Sequence, residues 1–309
     1  MTTQIPTAQR PDAEVAALQV QKQRHYGRWL GVVVLGVLAA MLVNTLLTNE
    51  RFQWGVVAEY FTTTTILQGL GRTLWLTAAA MGIGIVLGTV LAIMRLSPNP
   101  VFSASSGAFI WFFRGTPLLV QLIFWFNLSA LYPELSLGIP FGPAFVTGSA
   151  NEFITVYVAA LLGLGLNEGA YMAEIVRAGI KSVPTGQREA AEALGMSSRR
   201  ILFRIVLPQA MRVIIPPTGN QLIGMLKTTS LVSVIALPDL LYSAQMIYST
   251  NFQTIPLLIV ASIWYLIVTT ILSIGQHFVE RHFSRSENKP VPALAAVRRL
   301  LTPRREATA

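Results

Sequence analysis

Glu189-Ala-Ala-Glu-Ala-Leu-Gly195-Met-Ser-Ser-Arg-Arg-Ile-Leu-Phe-Arg-Ile-Val-Leu-Pro208 is a charged stretch lying between two long apolar segments. A loop that joins two such segments needs only to be short and soluble, whereas this one carries a helix start, a Gly stop and a terminal Pro. Just upstream, Pro184 and Gly186 break the chain, and the run from Gln187 to Leu194 has high helix propensity throughout. Gly195 then offers the left-handed conformation that ends a helix. The spacing predicts a two-turn helix outside the membrane. Ala190, Ala191 and Ala193 expose little side chain, so another protein's surface can approach the backbone, with Arg188 and Glu189 supplying charge at the rim. So short a helix is marginal alone, and packing must hold it. Ser197-Ser198-Arg199-Arg200 caps a second helix leading to Leu207-Pro208.

Composition says what lies on either side. With 309 residues, 53% hydrophobic and only 12% charged, and a mean hydropathy of +0.55, the chain has too few charges to coat a soluble globule, which places it in the membrane class. It has no Cys, and His25, His277 and His282 show no metal-ligand spacing. Neither thiol chemistry nor a bound metal is expected. The net charge of +9 does not point to nucleic acid, because the basic residues cluster beside apolar segments.

A bilayer-crossing helix needs about 20 mainly apolar residues, and six stretches qualify: 30–48, 68–94, 109–131, 153–176, 211–237 and 255–277. The expectation is an all-α integral membrane protein. Segments 1–28, 95–108, 177–212 and 278–309 hold four, one, seven and seven Lys and Arg residues. The alternate segments 49–67, 132–152 and 238–254 hold Arg51 alone, against Glu50, Glu59, Glu134, Glu152 and Asp239. That asymmetry puts both termini and the 177–212 loop in the cytoplasm. The first apolar run follows 28 polar residues with no small-residue cleavage site after it, so it reads as a retained signal-anchor helix. The Arg-, Pro- and Ala-rich tail, 281–309, reads as disordered or as lying on anionic lipid.

The chain carries no energy-converting chemistry of its own. The nearest approach to a phosphate-binding loop is Gly219-Asn-Gln-Leu-Ile-Gly224-Met-Leu-Lys227-Thr228, where two residues intrude before the Lys and the segment is apolar. There is no GxSxG, no paired carboxylates in a polar segment and no His constellation. The chain is expected not to be an enzyme, and energy must come from a partner.

Polar residues within the spans are candidates for a substrate path. Asn167, Tyr171 and Glu174 recur at helical spacing and share one face, with Glu168 about 100° away. The fifth span carries Pro216-Pro217, which is expected to break it, then Asn220, Gln221, Lys227, Thr228, Thr229 and Ser230. Glu168 and Lys227 are expected at similar depth. They could pair, could face the two charges of a zwitterion, or could stand apart. Glu174 and Arg177 form an i, i+3 pair that stabilises the helix or gates. Arg114 reads as an anchor at the cytoplasmic mouth of the third span. Gly69, Gly71, Gly82, Gly84 and Gly88 read as sites of close helix packing.

The stretch at 189–208 also resembles a known motif. Glu189-Ala190-Ala191, then Gly195, then Ile205, Leu207 and Pro208 are similar to the EAA motif of ABC-importer permeases. Several further segments resemble the polar amino acid branch of that family. They are Phe113-Arg114-Gly115-Thr116-Pro117-Leu118-Leu119-Val120-Gln121, Ala170–Gly179, Pro208-Gln209-Ala210, Ile215-Pro216-Pro217 with Asn220, and Lys227-Thr228-Thr229-Ser230-Leu231. The likeness covers about 63–277. It implies a permease core at 63–280 with a coupling loop at 180–208, preceded by an extra N-terminal helix and external loop at 29–62. It further implies a bacterial inner-membrane location and a coupling helix seated in a separate ATP-binding subunit that uses ATP with Mg. Also implied are a second permease subunit, identical or paralogous, and an external amino-acid-binding protein, working by alternating access. Where that family usually has an acid after the Lys, Thr228 stands here. The competing reading, an autonomous secondary transporter or channel for small polar solutes, would carry internal repeat symmetry, which these spans lack.

Overall fold

The computed structural model describes residues 26–139 and 142–283. The expectations for the rest of the 1–28 segment and for the tail beyond Phe283 lie outside the described residues. The described chain divides into two units between Phe52 and Gln53. The first is α1 (Tyr26–Thr48) with a 3-10 turn at Glu50–Phe52. No side chain from Trp29 to Thr48 is buried within the protein, and the helix is apolar all round, as immersion in lipid requires.

The second unit runs α2 (Trp54–Phe61), α3 (Thr64–Leu96), α4 (Pro100–Gly115), α5 (Leu118–Phe126), strands β1 (Glu134–Gly138) and β2 (Ala144–Ser149), and α6 (Ala150–Phe153). It continues with α7 (Val156–Lys181), α8 (Thr185–Ala193), α9 (Ser198–Ile201), α10 (Leu207–Thr228), a 3-10 helix at Thr229–Ile235, α11 (Leu240–Asn251) and α12 (Thr254–Phe283). Helices α3, α7, α10 and α12 are long and apolar enough to cross a membrane. Connectivity puts α8 and the α3–α4 turn at one end of this bundle, with α2, α11 and the hairpin at the other.

Two expectations about the spans need correction. The third span is not a straight helix over 109–131, because α4 and α5 meet at 100° across Thr116-Pro117. Pro117 lacks an N–H and forces Thr116 out of the helical region, to φ −109 and ψ 141. Hydropathy is blind to this bend because the apolar run continues through it. The fifth span is not broken at Pro216-Pro217 either, since α10 runs through both. Interruptions flank it instead. One is a π-turn at Leu202–Val206, just before Pro208, and the other is the 3-10 stretch that ends at Ala236 in the left-handed region, φ 57. On the far side, an antiparallel hairpin (Glu134 opposite Ser149) and α11 occupy the segments between spans at 132–152 and 238–254.

The α3–α7 seam holds the bundle together and sets its depth scale. A Cβ at Gly84 would stand 2.5 Å from Glu168 Cγ, and one at Gly88 would stand 2.5 Å from Met172 Cβ and 2.8 Å from the Ala173 nitrogen. Gly69 lies as close to Ser243 and the Asp239 carbonyl. Gly71 and Gly82 face open space, so only three of the five glycines serve packing. Around the seam, Leu76, Ala80, Leu122, Leu164, Met225 and Val232 form one buried apolar cluster. At the α11 end Asp239 is wholly buried. It accepts the Tyr242 N–H at 2.8 Å, capping α11, and the Tyr265 hydroxyl at 3.2 Å. Burial pushes its carboxyl up from 3.8 to about 6.

Candidate functional site

The predicted extramembrane helix is present as α8, starting two residues earlier and ending one residue earlier than the run Gln187–Leu194, and Gly195 ends it with φ +74. The stop is pinned by the Gly195 N–H donating to Glu192 O at 2.9 Å and the Met196 N–H donating to Ala191 O at 3.1 Å. Ala191 does not face outward. It is 3% exposed and packs with Val183, Ile201 and Val206, so a larger side chain there would lift α8 off its support. Ile205 and Leu207 are half-buried, whereas Glu189, Ala190, Gly195 and Pro208 are exposed. The Gln209 amide donates to the Gln187 side chain and to Ile205 O, tying α8 to the base of α10. Ser197 stands at the N-cap of α9 but makes no side-chain capping bond. Leu194, 82% exposed at the tip, was not singled out from sequence. Its signal was a Leu placed directly before the stop Gly.

The intramembrane residues separate into buried and exposed sets. Asn167 belongs to the bend between α4 and α5. Its amide donates to Phe113 O at 2.8 Å, and Gln121 donates to the same carbonyl at 3.0 Å and to Thr116 O at 3.1 Å. These two amides satisfy carbonyls that the bend frees inside the bilayer, where water cannot. Asn167 therefore holds the fold rather than lining a path.

Glu168 and Lys227 are not paired. Glu168 is 5% exposed in the α3–α7 seam, with the Gln221 side chain beside it and its Oε1 without a hydrogen-bond partner. Lys227 is exposed. It lies six residues beyond Gln221 on α10, about 9 Å toward the α11 end. Glu168 therefore lies level with Gln221 rather than with Lys227, contrary to the expectation of similar depth.

Arg114 is also deeper than expected. Asn99 caps α4 through the Val101 N–H at 2.9 Å, with Pro100 at the first turn, so the helix begins nine residues before the predicted span. That leaves Arg114 beside Phe113, at the level of Asn167, with its guanidinium 5.1 Å from the Tyr171 ring centroid. Both side chains are exposed. Glu174 and Arg177 do form the expected pair, at 2.5 Å. It is the only ion pair found among the described residues.

At the end of α10 Thr228 donates to Gly224 O, and in the 3-10 helix that follows Ser230 donates to Lys227 O, so both hydroxyls are engaged with backbone. Asn220 is exposed and accepts from Gln276, which also donates to Pro216 O. Val213, Asn220 and Lys227 recur every seven residues and share one exposed face. Of the candidate path residues and Arg114, the exposed polar groups in the middle of the bundle are thus Arg114, Tyr171, Asn220 and Lys227.

Residues 84–285 match the family described as "Binding-protein-dependent transport system inner membrane component". The chain is 43% identical over 283 residues to the "Arginine transport system permease protein ArgU" of Corynebacterium glutamicum, covering 91% of this chain and 88% of that one. It is 37% identical over 205 residues to the "Histidine/lysine/arginine/ornithine transport system permease protein HisM" of Escherichia coli, covering 66% of this chain and 82% of that one. Among solved structures, one titled "Crystal structure of an amino acid ABC transporter with histidines" is similar at a TM-score of 0.60 and 35% identity. That match covers 71% of this chain and 94% of that one.

Proposed function

The chain belongs to the family of binding-protein-dependent transport system inner membrane components, and from that premise we propose that it is the permease of a polar amino acid ABC importer in a bacterial inner membrane. The observation that carries the coupling role is α8, an exposed extramembrane helix held from beneath by Ala191 and stopped by Gly195. A separate ATPase subunit receives its outward face, Glu189, Ala190 and Leu194, and hydrolyses ATP with Mg. The α8 end, where the basic residues gather, is cytoplasmic, as are both termini.

Two permease copies, or this chain and a paralogue, enclose the path between them, and an external binding protein delivers the amino acid at the α11 end. The exposed groups Arg114, Tyr171, Asn220 and Lys227 line that path. An ammonium inside a span is costly to leave facing lipid, and among the described residues no acid within the spans is free to neutralise it: Glu168 is buried, Glu174 binds Arg177 and Glu280 accepts from Gln276. Lys227 then suits the carboxylate that every amino acid carries. The similarity to the ArgU and HisM permeases favours a basic amino acid such as arginine as cargo.

The test is reconstitution of the chain with its ATPase and binding protein, measuring ATP hydrolysis and uptake with arginine, histidine, lysine, glutamine and glutamate. Hydrolysis stimulated by a loaded binding protein, and uptake reduced by Lys227→Met, are expected. Hydrolysis indifferent to every loaded form would sink the importer reading, whereas normal uptake by Lys227→Met would remove only the role of Lys227.

A further inference from the structure

Helices α3, α7, α10 and α12 leave between them an apolar groove of about 700 Å³. It runs from Met81 and Leu222, near the level of Gln221, to Leu207 and Glu280 at the α8 end. Its volume lies within the range of ligand pockets, roughly 300–1,000 Å³, yet it has none of the convergent polar groups that fix a polar ligand. Its wall is mostly Ile, Leu, Met and Val, the Thr89 and Thr218 hydroxyls donate to the backbone of their own helices, and Gln276 and Glu280 at the rim are bonded to each other at 2.7 Å. On α10 the groove-lining Ile215, Thr218 and Leu222 lie roughly 120–180° around the helix from Asn220 and Lys227. If the polar stripe faces a path or a second copy, the groove faces lipid.

Three cations flank the groove's open end. Arg204, Arg212 and Arg281 are exposed, one to three residues from the lining Leu207, Met211 and Glu280. None of them pairs with a carboxylate among the described residues. A hydrocarbon slot in the membrane, with unpaired guanidinium groups at the headgroup level, is complementary to one class of molecule.

We propose that this groove is a binding site for an anionic phospholipid, with an acyl chain between α10 and α12 and the phosphate at Arg204, Arg212 and Arg281. The acyl chain would fill space that the protein itself leaves open, joining α12 to the bundle where its middle is exposed. Glu280 does not oppose this, because Gln276 holds its carboxylate toward α12.

Gly275 provides the test. It lines the groove, and a Cβ built there meets nothing within 4 Å, so Gly275→Phe projects its ring into the slot from a Cβ that clears the chain's own atoms. Gly82→Phe, on α3 and also open, is the control. The full chain is purified in its complex in mild detergent, and bound phosphatidylglycerol per copy is counted by native mass spectrometry. About tenfold less is expected for Gly275→Phe, the equivalent of losing a few buried methylene groups, and no change for the control. In Arg204→Gln/Arg212→Gln, reloading should lose the preference for phosphatidylglycerol over phosphatidylcholine while a lipid is still held. Equal phosphatidylglycerol in the wild type and Gly275→Phe overturns the site. So does an unchanged lipid count with loss of permease–permease association, which would make the groove a protein interface. The readout is independent of uptake, so its failure leaves the importer reading standing.

Discussion

Replacing Gly195 isolates backbone conformation from contact at the proposed coupling helix. Its φ is +74, and a Cβ there meets nothing within 4 Å, so a substitution acts only through the left-handed backbone. That conformation costs an ordinary L-residue about 1–2 kcal/mol, less for Asn and most for a β-branched residue. Every 1.4 kcal/mol is about tenfold in an equilibrium. Gly195→Ala should therefore shift α8 roughly fivefold toward an unturned end, and Gly195→Val tenfold or more. The bonds from Gly195 N–H to Glu192 and from Met196 N–H to Ala191 are the ones lost, and with them the direction of Leu194. The assay is uptake per ATP hydrolysed in proteoliposomes holding the complete complex. Coupling should fall in the order Gly, Asn, Ala, Val, with membrane insertion unchanged. Full coupling in Gly195→Val, or Asn as damaging as Val, would refute the reasoning, because neither can follow from the cost of a left-handed backbone.

Two further outcomes follow from packing and charge. Gly88→Ala should lower the thermal midpoint of the purified chain by an overpacking cost of about 1–3 kcal/mol, since its Cβ meets backbone atoms of α7 that cannot retreat. Gly82→Ala on the same helix should raise the midpoint slightly through helix propensity, and a matched response would discredit the seam. For Asp239, a folded value of about 6 above an unfolded 3.8 means that the folded state holds the proton more tightly. Stability is then greatest below about pH 4 and declines as the pH rises to 6, by on the order of 3 kcal/mol. Asp239→Asn keeps the cap and removes the charge, so melting curves between pH 4 and 7 should flatten; an unchanged slope would exclude Asp239 as its source.

What could be read locally was legible in the sequence. The helix at 185–193 and its stop needed only propensity and one Gly, and most spans needed only apolar length. The i, i+3 pair Glu174–Arg177 needed only helical spacing. Tertiary structure decided the rest, because depth and partnership depend on where a helix begins and what crosses it. Arg114 moved to the middle of the bundle once α4 was seen to begin at Pro100. Glu168 and Lys227 came apart because α10 places Gln221, and not Lys227, against the seam. Gly84 and Gly88 were distinguished from Gly71 and Gly82 only by their neighbours on α7. The bend at Thr116-Pro117 survives because Asn167, 54 residues away, donates to the carbonyl it frees. Period and hydropathy report the solvent each residue prefers, whereas such bonds exist only once distant helices have met.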